Sequence, residues 1–200
     1  MCGRFNIVDD PLTQLIMEVV GGEVPWTLTT EYNIAPTQMV PVLRYSDEEG
    51  WDMPAMRWWL VPSWSPQPST KYSMFNAKSE TLTTSRAYKE PFKRRRCIVP
   101  ASGYYEWRKE GSIKVPYYIE PVSEPGFAFA ALWDRWHRGD QIIESCTIVT
   151  AASPGPMKNI HHRIPVHLTV DQAKTWVNQD AEPFCLQELL APEIRMEIKV

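Results

Sequence analysis

Short apolar segments alternate along this chain with clusters of proline, glycine and small polar residues. Segments rich in β-branched, aromatic and small apolar residues are typical of strands in a buried sheet. The 18 prolines favour short elements joined by stiff loops, because each proline fixes φ and removes an amide donor. The pattern predicts about seven strands, at residues 39–45, 53–60, 97–107, 115–120, 127–133, 145–151 and 164–168.

Further segments predict helices. Asp10-Pro11 is typical of an N-cap followed by proline at the first helical position, so the first helix should run to residue 20, where Gly21-Gly22 ends it. After Ser79-Glu80-Thr81, a second helix is expected through Arg86 and Tyr88. The segment Thr169-Val170-Asp171-Gln172 fits a capping box, which predicts another helix that ends near Val177.

Polar, proline-rich and glycine-containing segments predict the connections. Residues 32–37 and 62–70 are expected to be loops, residues 47–50 a turn, and Gly111-Ser112 a hairpin turn. The sequence has neither an internal repeat nor an interior linker. We therefore predict that residues 1–200 form a single α+β domain, built on antiparallel, barrel-like β-sheet with a few flanking helices.

Composition and charge narrow the class of protein. With 44% hydrophobic and 22% charged residues, the chain is expected to fold rather than stay disordered. With a net charge of −3, a surface that binds nucleic acid would have to concentrate its basic groups on one face of the protein. Taken by itself, the run Lys93-Arg94-Arg95-Arg96 favours a solvated charged face. The sequence contains neither an apolar stretch of membrane-spanning length nor a signal-peptide core. A cytoplasmic protein without membrane contact is therefore expected.

The cysteines do not follow the spacing of a metal site. Cys2, Cys97, Cys146 and Cys185 show neither CxxC nor Cys/His spacing, so free thiols are expected and no metal or other cofactor is predicted. Cys2 follows Met1 directly, and an initial methionine before a small residue is normally removed. The mature chain should therefore begin with cysteine.

An N-terminal cysteine carries an amine and a thiol on adjacent carbons. Their pKa values of about 7.7–8.0 and about 8.5 make both groups nucleophiles near neutral pH. The amine condenses with an aldehyde to a Schiff base, and the thiol can then close a five-membered thiazolidine ring. Taken alone, Cys2 could equally be an incidental second residue.

Polar residues interrupt apolar segments at Asn76, Glu106 and His161. A Glu106 carboxylate desolvated by its aromatic neighbours would have a raised pKa and could shuttle a proton; alternatively, strand alternation would turn Glu106 to water and its neighbours inward. His161 could transfer protons or be structural, and the adjacent His162 leaves the choice between them open. Asn76 could bind a substrate hydroxyl or carbonyl, or cap a turn.

Several blocks of the sequence together resemble one protein family. The blocks, in family order, are Met1-Cys2-Gly3-Arg4, Tyr32-Asn33-Ile34-Ala35-Pro36, Trp58 with Pro62 and Trp64, Asn76-Ala77-Lys78-Ser79-Glu80-Thr81, Gly103-Tyr104-Tyr105-Glu106-Trp107 and Ile160-His161-His162-Arg163-Ile164-Pro165. The chain resembles the SRAP family (SOS-response-associated peptidase domain), the abasic-site processing proteins. The resemblance implies covalent capture of abasic sites in single-stranded DNA, which shields the lesion during replication-associated DNA repair.

The resemblance also implies roles for single residues. Cys2 would be the nucleophile that forms the thiazolidine with the ring-opened sugar aldehyde. Asn76 would position the N-terminus and the sugar, and Glu106 would interact with the α-amine and assist proton transfer. His161 would assist sugar ring opening and reversal of the crosslink. The family name records a peptidase activity, seen chiefly as self-removal of the residue before the cysteine.

Five residues match positions that contact DNA in the family. Arg4, Arg86 and Arg163 would hold phosphates, which gives affinity without sequence preference. Trp64 would pack at the DNA junction. Lys78 stands where many members have arginine; lysine keeps the charge but loses the bidentate fork.

Two other classes of function stay open. Cys2 could be the nucleophile of an N-terminal-nucleophile peptidase that acts on protein, or the protein could bind single-stranded DNA without covalent chemistry. The expected partners are single-stranded DNA with abasic sites and candidate replication-fork proteins; the default is a monomer, in the cytoplasm or at the nucleoid when bound to DNA. The sequence stops where relatives continue into an asparagine-containing tail, so a short or truncated C-terminal tail is also expected.

Overall fold

The computed structural model describes residues 2–191 and 196–200. With 41% of its residues in strands and 20% in helices, it confirms an α+β fold built on curled β-sheet. The strands are β1 (Phe5–Ile7), β2 (Glu31–Ile34), β3 (Met39–Pro41), β4 (Arg44–Ser46), β5 (Gly50–Asp52), β6 (Ala55–Trp58), β7 (Asn76–Lys78), β8 (Arg96–Ala101), β9 (Gly103–Glu110), β10 (Ile113–Pro121), β11 (Phe127–Arg138), β12 (Gln141–Ala152), β13 (Arg163–Pro165), β14 (His167–Leu168) and β15 (Met196–Lys199). The α-helices are α1 (Asp9–Val20), α2 (Lys89–Arg94), α3 (Val170–Val177) and α4 (Pro183–Glu188).

Two sheets form the body of the protein. The five-stranded sheet has the order β15-β10-β9-β1-β2. The eight-stranded sheet follows the path β14-β11-β12-β6-β3, with β7 and β13 also paired to β12 and β8 paired to β11. Most pairs are antiparallel, whereas β6 and β7 run parallel to β12. The chain passes from the larger sheet to the smaller one at Ser102, between β8 and β9, so the predicted strand 97–107 is in fact two strands.

The core lies between these sheets and under the helices. Phe5 of β1 packs edge-on against Trp58 of β6, with ring centroids 5.0 Å apart, and this contact joins the two sheets. Trp176 of α3 is fully buried, and its indole donates to the Cys97 carbonyl at 2.9 Å. Burial of such large aromatic side chains stabilises the fold by about 1.5–3 kcal/mol each.

The first helix begins earlier than the sequence predicts. Asp9 is its first residue and Val8 its N-cap, so the expected Asp10 cap is wrong. Side chains remote in sequence explain the difference, because the Val8 amide donates to the Ser102 hydroxyl at 2.8 Å and the Asp9 amide to the Thr30 hydroxyl at 3.2 Å. The predicted end is confirmed, since Gly21 has φ of 82° in the left-handed region.

The helix predicted after Thr81 and through Arg86 and Tyr88 is wrong. A 3-10 turn forms at Ser79–Thr81, the residues after it are in turns, and the α-helix starts later, at Lys89. Local hydroxyl bonds account for this: the Thr81 hydroxyl donates to the Lys78 carbonyl at 3.2 Å, and the Ala87 amide donates to the Ser85 hydroxyl at 3.3 Å. Serine and threonine side chains compete in this way with helical backbone bonds.

Other expectations have mixed outcomes. The segment 32–37 was expected to be a loop, but its first half lies in β2. The strand predicted at 39–45 is divided into β3 and β4, and the strand predicted at 164–168 is divided into β13 and β14. The capping box at Thr169, the turn at Gly111 and the irregular segment 62–70 are confirmed. A further strand that is not among the seven predicted ones, β15, pairs with β10.

Candidate functional site

The pairing of β1 with β9 carries Cys2 to the neighbourhood of Glu106. Two residues after Cys2, the Arg4 carbonyl accepts a hydrogen bond from the Tyr105 amide at 2.9 Å. Cys2 is fully buried, and its thiol lies 3.8 Å from the same Arg4 carbonyl. The start of the chain is therefore held against the strand that carries the candidate carboxylate.

Glu106 faces inward and Trp107 faces outward. Glu106 is 3% exposed and Trp107 38%, which is the opposite of the solvent-facing alternative for Glu106. Desolvation by burial raises the pKa of the Glu106 carboxyl. A carboxyl group whose pKa is raised is a stronger proton acceptor, once ionised, than an ordinary solvated carboxylate.

His161 is the histidine that approaches Glu106. Its Nδ1 lies 4.0 Å from the Glu106 Oε1, and its side chain is half-buried, whereas His162 is exposed. The His161 Nδ1 lies 3.0 Å from the Arg163 amide nitrogen and 3.1 Å from the Arg163 carbonyl oxygen, so the backbone of Arg163 holds the imidazole in either neutral tautomer. Burial lowers the pKa of His161, which favours the neutral imidazole at neutral pH.

Asn76 connects the larger sheet to Cys2. It begins β7, opposite Ile148 of β12, and its Nδ2 donates to the Cys2 carbonyl at 2.8 Å. The Tyr88 hydroxyl donates to the Asn76 carbonyl at 3.4 Å and fixes the strand from its other side. The buried Asn76 Oδ1 accepts no hydrogen bond from any residue that the structure describes, so this oxygen can accept one from a substrate hydroxyl.

The Cys2 thiol is not a ready thiolate in this environment. Desolvation by burial raises its pKa well above the ordinary range, and the nearby Glu106 carboxylate acts in the same direction. A thiol with a raised pKa is protonated at neutral pH, and reaction as a nucleophile would require a proton acceptor.

Trp64 and Arg86, both predicted to contact DNA, come together at the surface. The Arg86 guanidinium carbon lies 4.1 Å from the centre of the Trp64 ring, and the Trp64 indole donates to the Arg86 carbonyl at 3.3 Å. Trp64 remains 44% exposed, which leaves part of the ring surface open. Arg86 also lies shortly before Tyr88, whose hydroxyl contacts Asn76.

The remaining predicted DNA-contact residues lie in different settings. Lys78 is exposed and is the last residue of β7, the strand that Asn76 begins. Arg4 is half-buried, and its guanidinium donates to the Gly3 carbonyl at 2.8 Å. Arg163 is only 7% exposed, and both of its terminal nitrogens bind Glu80.

The contacts that connect the segments of the site were not predicted from the sequence. Glu80 binds Arg163, Tyr88 binds the Asn76 carbonyl, and the Thr150 hydroxyl donates to the Ala77 carbonyl at 3.3 Å. Glu80 stood within a family block, but no local pattern connects it to an arginine 83 residues away.

Within residues 2–191 and 196–200, no three histidine, cysteine, aspartate or glutamate side chains converge as a metal site. No helix of this part of the chain has the length and apolar character needed to cross a membrane.

The structure thus brings a buried cysteine near the N-terminus together with a desolvated glutamate, a histidine and an asparagine, the combination of groups expected around a candidate N-terminal nucleophile. The family model described as SOS response associated peptidase (SRAP) matches residues 1–200. The chain belongs to this family.

Curated relatives and solved structures agree with this assignment. The abasic site processing protein YoaM of Bacillus subtilis is 35% identical over 199 residues, which cover 96% of this chain and 86% of the relative. The abasic site processing protein YedK of Escherichia coli is 32% identical and covers 90% of this chain and 81% of its own. A crystal structure of a phage-related protein from Bordetella bronchiseptica matches with a TM-score of 0.79 and 27% identity, over 99% of this chain and 93% of the other.

Proposed function

We propose that this protein captures abasic sites in single-stranded DNA by forming a covalent thiazolidine through Cys2, once Met1 has been removed. The observation that carries the proposal is the convergence of Cys2, Asn76, Glu106 and His161, which come from four separate segments of the chain. The names of the relatives, abasic site processing proteins, support the same target.

The reaction needs only the groups of Cys2 and the open-chain sugar of the lesion. The Cys2 amine attacks the aldehyde carbon, and loss of one water gives an imine. The thiol then adds across the imine: a sulfur–carbon bond forms, and the thiol proton passes to the nitrogen. Because burial raises the pKa of the Cys2 thiol, the amine acts first and the thiol closes the ring second.

The neighbouring side chains divide the proton transfers between them. Glu106, with its raised pKa, removes a proton from the Cys2 amine and returns one to the departing water. His161, as a neutral imidazole, accepts the proton of the anomeric hydroxyl and returns it to the ring oxygen as the bond between this oxygen and the anomeric carbon breaks, which opens the ring to the aldehyde. Asn76 holds the Cys2 carbonyl and offers its Oδ1 to a sugar hydroxyl.

DNA is held by cationic and aromatic groups around this centre. The stacked Trp64–Arg86 pair offers a ring face to an unpaired base, a contact worth about 1–3 kcal/mol, and a charge to a phosphate. Lys78 and Arg4 add phosphate contacts on the segments of Asn76 and Cys2. A phosphate contact by Arg163 would require it to exchange its bonds with Glu80.

The same groups account for two further activities that we include in the proposal. Self-removal of Met1 would use the Cys2 thiol as nucleophile on the preceding carbonyl, and reversal of the crosslink would run the thiazolidine steps backward with His161 and Glu106. Replication-fork proteins would deliver the protein to its lesions, and the adduct would shield the site during repair.

The test is denaturing gel electrophoresis after the protein, confirmed by mass to begin at Cys2, is mixed with a single-stranded oligonucleotide that bears one abasic site. Wild type is expected to give a heat-stable shifted band that Cys2→Ser lacks. Cys185→Ser, which changes an exposed cysteine, serves as the matched control and should crosslink like wild type.

Three results would contradict the proposal. Absence of the band with wild type, while the oligonucleotide is still bound, would leave a non-covalent binder. A band that persists in Cys2→Ser would assign the chemistry to another nucleophile. Cleavage of peptide substrates without any DNA adduct would favour the peptidase function instead.

A further inference from the structure

Glu80 and Arg163 form a two-pronged ion pair between separate parts of the chain. The Arg163 Nη2 lies 2.9 Å from the Glu80 Oε2, and its Nη1 contacts the other carboxylate oxygen. Arg163 is largely buried, whereas the Glu80 side chain is 54% exposed. The hydrogen bonds from Arg163 lower the pKa of Glu80 to about 2, so the carboxylate is charged throughout the neutral range.

Arg163 is also bound to the strand between the two segments. Its Nη2 donates to the Thr150 carbonyl at 2.5 Å, and the Thr150 hydroxyl in turn donates to the Ala77 carbonyl at 3.3 Å. Thr150 belongs to β12, which pairs with β7 on one side and β13 on the other. Glu80, Arg163 and Thr150 therefore form a connection across β12. We call these three residues the brace.

Each end of the brace is next to a candidate catalytic residue. Glu80 lies in the 3-10 turn that directly follows β7, the strand that Asn76 begins. Arg163 begins β13, and its amide nitrogen and carbonyl oxygen lie 3.0 and 3.1 Å from the His161 Nδ1. The backbone of Arg163 thus orients the His161 imidazole, while the Arg163 side chain is fixed by Glu80.

We propose that Glu80 is a positioning residue, which acts through Arg163 to hold His161 against Glu106 and at a fixed distance from Asn76. This inference rests on the proposed function only for its kinetic consequence. The inference gives Arg163 a structural role instead of a phosphate-binding one. The Arg163 guanidinium is already bound by the Glu80 carboxylate, which neutralises its charge.

The two roles of Arg163 predict opposite effects of removing the Glu80 charge. If Arg163 binds phosphate, Glu80→Gln frees its guanidinium, and DNA affinity rises with a steeper salt dependence. If Glu80 is part of a brace, affinity stays the same, but the orientation of His161 is lost. Loss of catalytic alignment of this kind lowers rates by about tenfold to a hundredfold.

The experiment compares wild type with Glu80→Gln in two independent measurements. The first is the single-turnover rate of crosslinking to an abasic oligonucleotide, together with affinity for an undamaged one at several salt concentrations. The second is the titration of the His161 imidazole by NMR in DNA-free protein, where Glu106, His162, Arg163 and the Cys2 amine are its charged neighbours. Glu90→Gln is the matched control, because Glu90 forms an exposed ion pair with Arg94.

Glu80→Gln is expected to crosslink about tenfold more slowly with unchanged affinity. Its His161 midpoint should move to lower pH, because the Arg163 charge is no longer neutralised. Glu90→Gln should match wild type in both, and Glu80→Asp, which restores the charge, should recover part of the rate. Urea unfolding of each variant verifies that the fold is intact.

Three outcomes would overturn the inference: a wild-type rate and His161 midpoint in Glu80→Gln, a gain in DNA affinity with a steeper salt dependence, or equal effects of Glu90→Gln. A failure of the proposed function is distinguishable, since wild type itself would then give no crosslink. The NMR midpoint would still test the brace in that case.

Discussion

Glu106 combines two opposing properties in a single side chain. Burial raises the pKa of its carboxyl group, which suits proton transfer near neutral pH. The same burial makes the ionised form unfavourable in the folded protein. Because the pKa is higher in the folded than in the unfolded chain, the free energy of unfolding falls as the pH rises from the unfolded value through the folded one.

Glu106→Gln separates these two properties. The amide keeps the shape of the side chain but cannot transfer protons, so the crosslinking rate should fall on the order of 10²-fold and lose the rise with pH that ionisation of Glu106 produces. The variant should be at least as stable as wild type at neutral pH, since a neutral group is now buried. Single-turnover rates across a pH series and urea unfolding measure both effects.

Glu110→Gln is the matched control, because Glu110 lies on the same strand and is exposed. A Glu106→Gln rate equal to that of wild type at every pH would remove Glu106 from the chemistry.

Residue chemistry could be predicted from sequence where it depends on the residue alone. The dual nucleophile of Cys2 follows from its position in the chain. The burial of Glu106 did not, because alternation along a strand gives two faces and does not identify the inner one. The choice between His161 and His162 needed the 4.0 Å approach to Glu106. Arg163 carried no local sign of its partner Glu80.

Arg96 shows how one buried side chain joins several elements. The predicted solvated face at residues 93–96 is wrong for this arginine, which is 1% exposed. Its guanidinium donates to the Phe92 and Lys93 carbonyls of α2, and to the Trp176 carbonyl of α3 at 2.7 Å. These helix ends leave carbonyls without helical partners, and Arg96 satisfies them from β8.

Arg96→Met should destabilise the protein by at least about 3 kcal/mol, because several buried carbonyls lose their donor at once. Arg94→Met, an exposed neighbour in the same run, should stay within about 0.5 kcal/mol of wild type. Urea unfolding of both variants measures the difference. Equal stabilities of the two variants would contradict the role assigned to Arg96.

Elements with a strong local pattern could be predicted from sequence, and those decided by remote contacts could not. The α3 capping box and the Gly111 turn depend on adjacent residues and are confirmed. The start of α1 depends on Ser102 and Thr30, and the division of the strand at residues 97–107 depends on two separate sheets. A single charged run such as 93–96 does not reveal which member turns into the core.

At the scale of the whole molecule, a net charge of −3 must be reconciled with a proposed DNA ligand. Many of the arginines are already paired within the protein: Arg44 with Asp52, Arg95 with Asp134, and Arg163 with Glu80. Arg86 instead stacks on the partly exposed Trp64. Affinity for DNA should therefore depend on a few local charges rather than on the overall charge.

Arg86→Ala should weaken binding to single-stranded DNA and reduce the slope of log affinity against log salt by about 0.7. Arg138→Ala, which removes an exposed arginine at the end of β11, is the matched control and should leave the slope unchanged. Fluorescence anisotropy at several salt concentrations provides both values. A wild-type slope in Arg86→Ala would exclude a phosphate contact at this position.

The most direct test of the central claim is peptide mass spectrometry of the crosslinked protein after thiol alkylation. A thiazolidine engages both the amine and the sulfur of Cys2, so the peptide that begins at Cys2 should have the summed mass of the peptide and the sugar remnant minus one water, and should resist alkylation. Cys185 should be alkylated in the same sample. An adduct on any other residue, or a modified Cys2 whose thiol is still alkylated, would contradict the account.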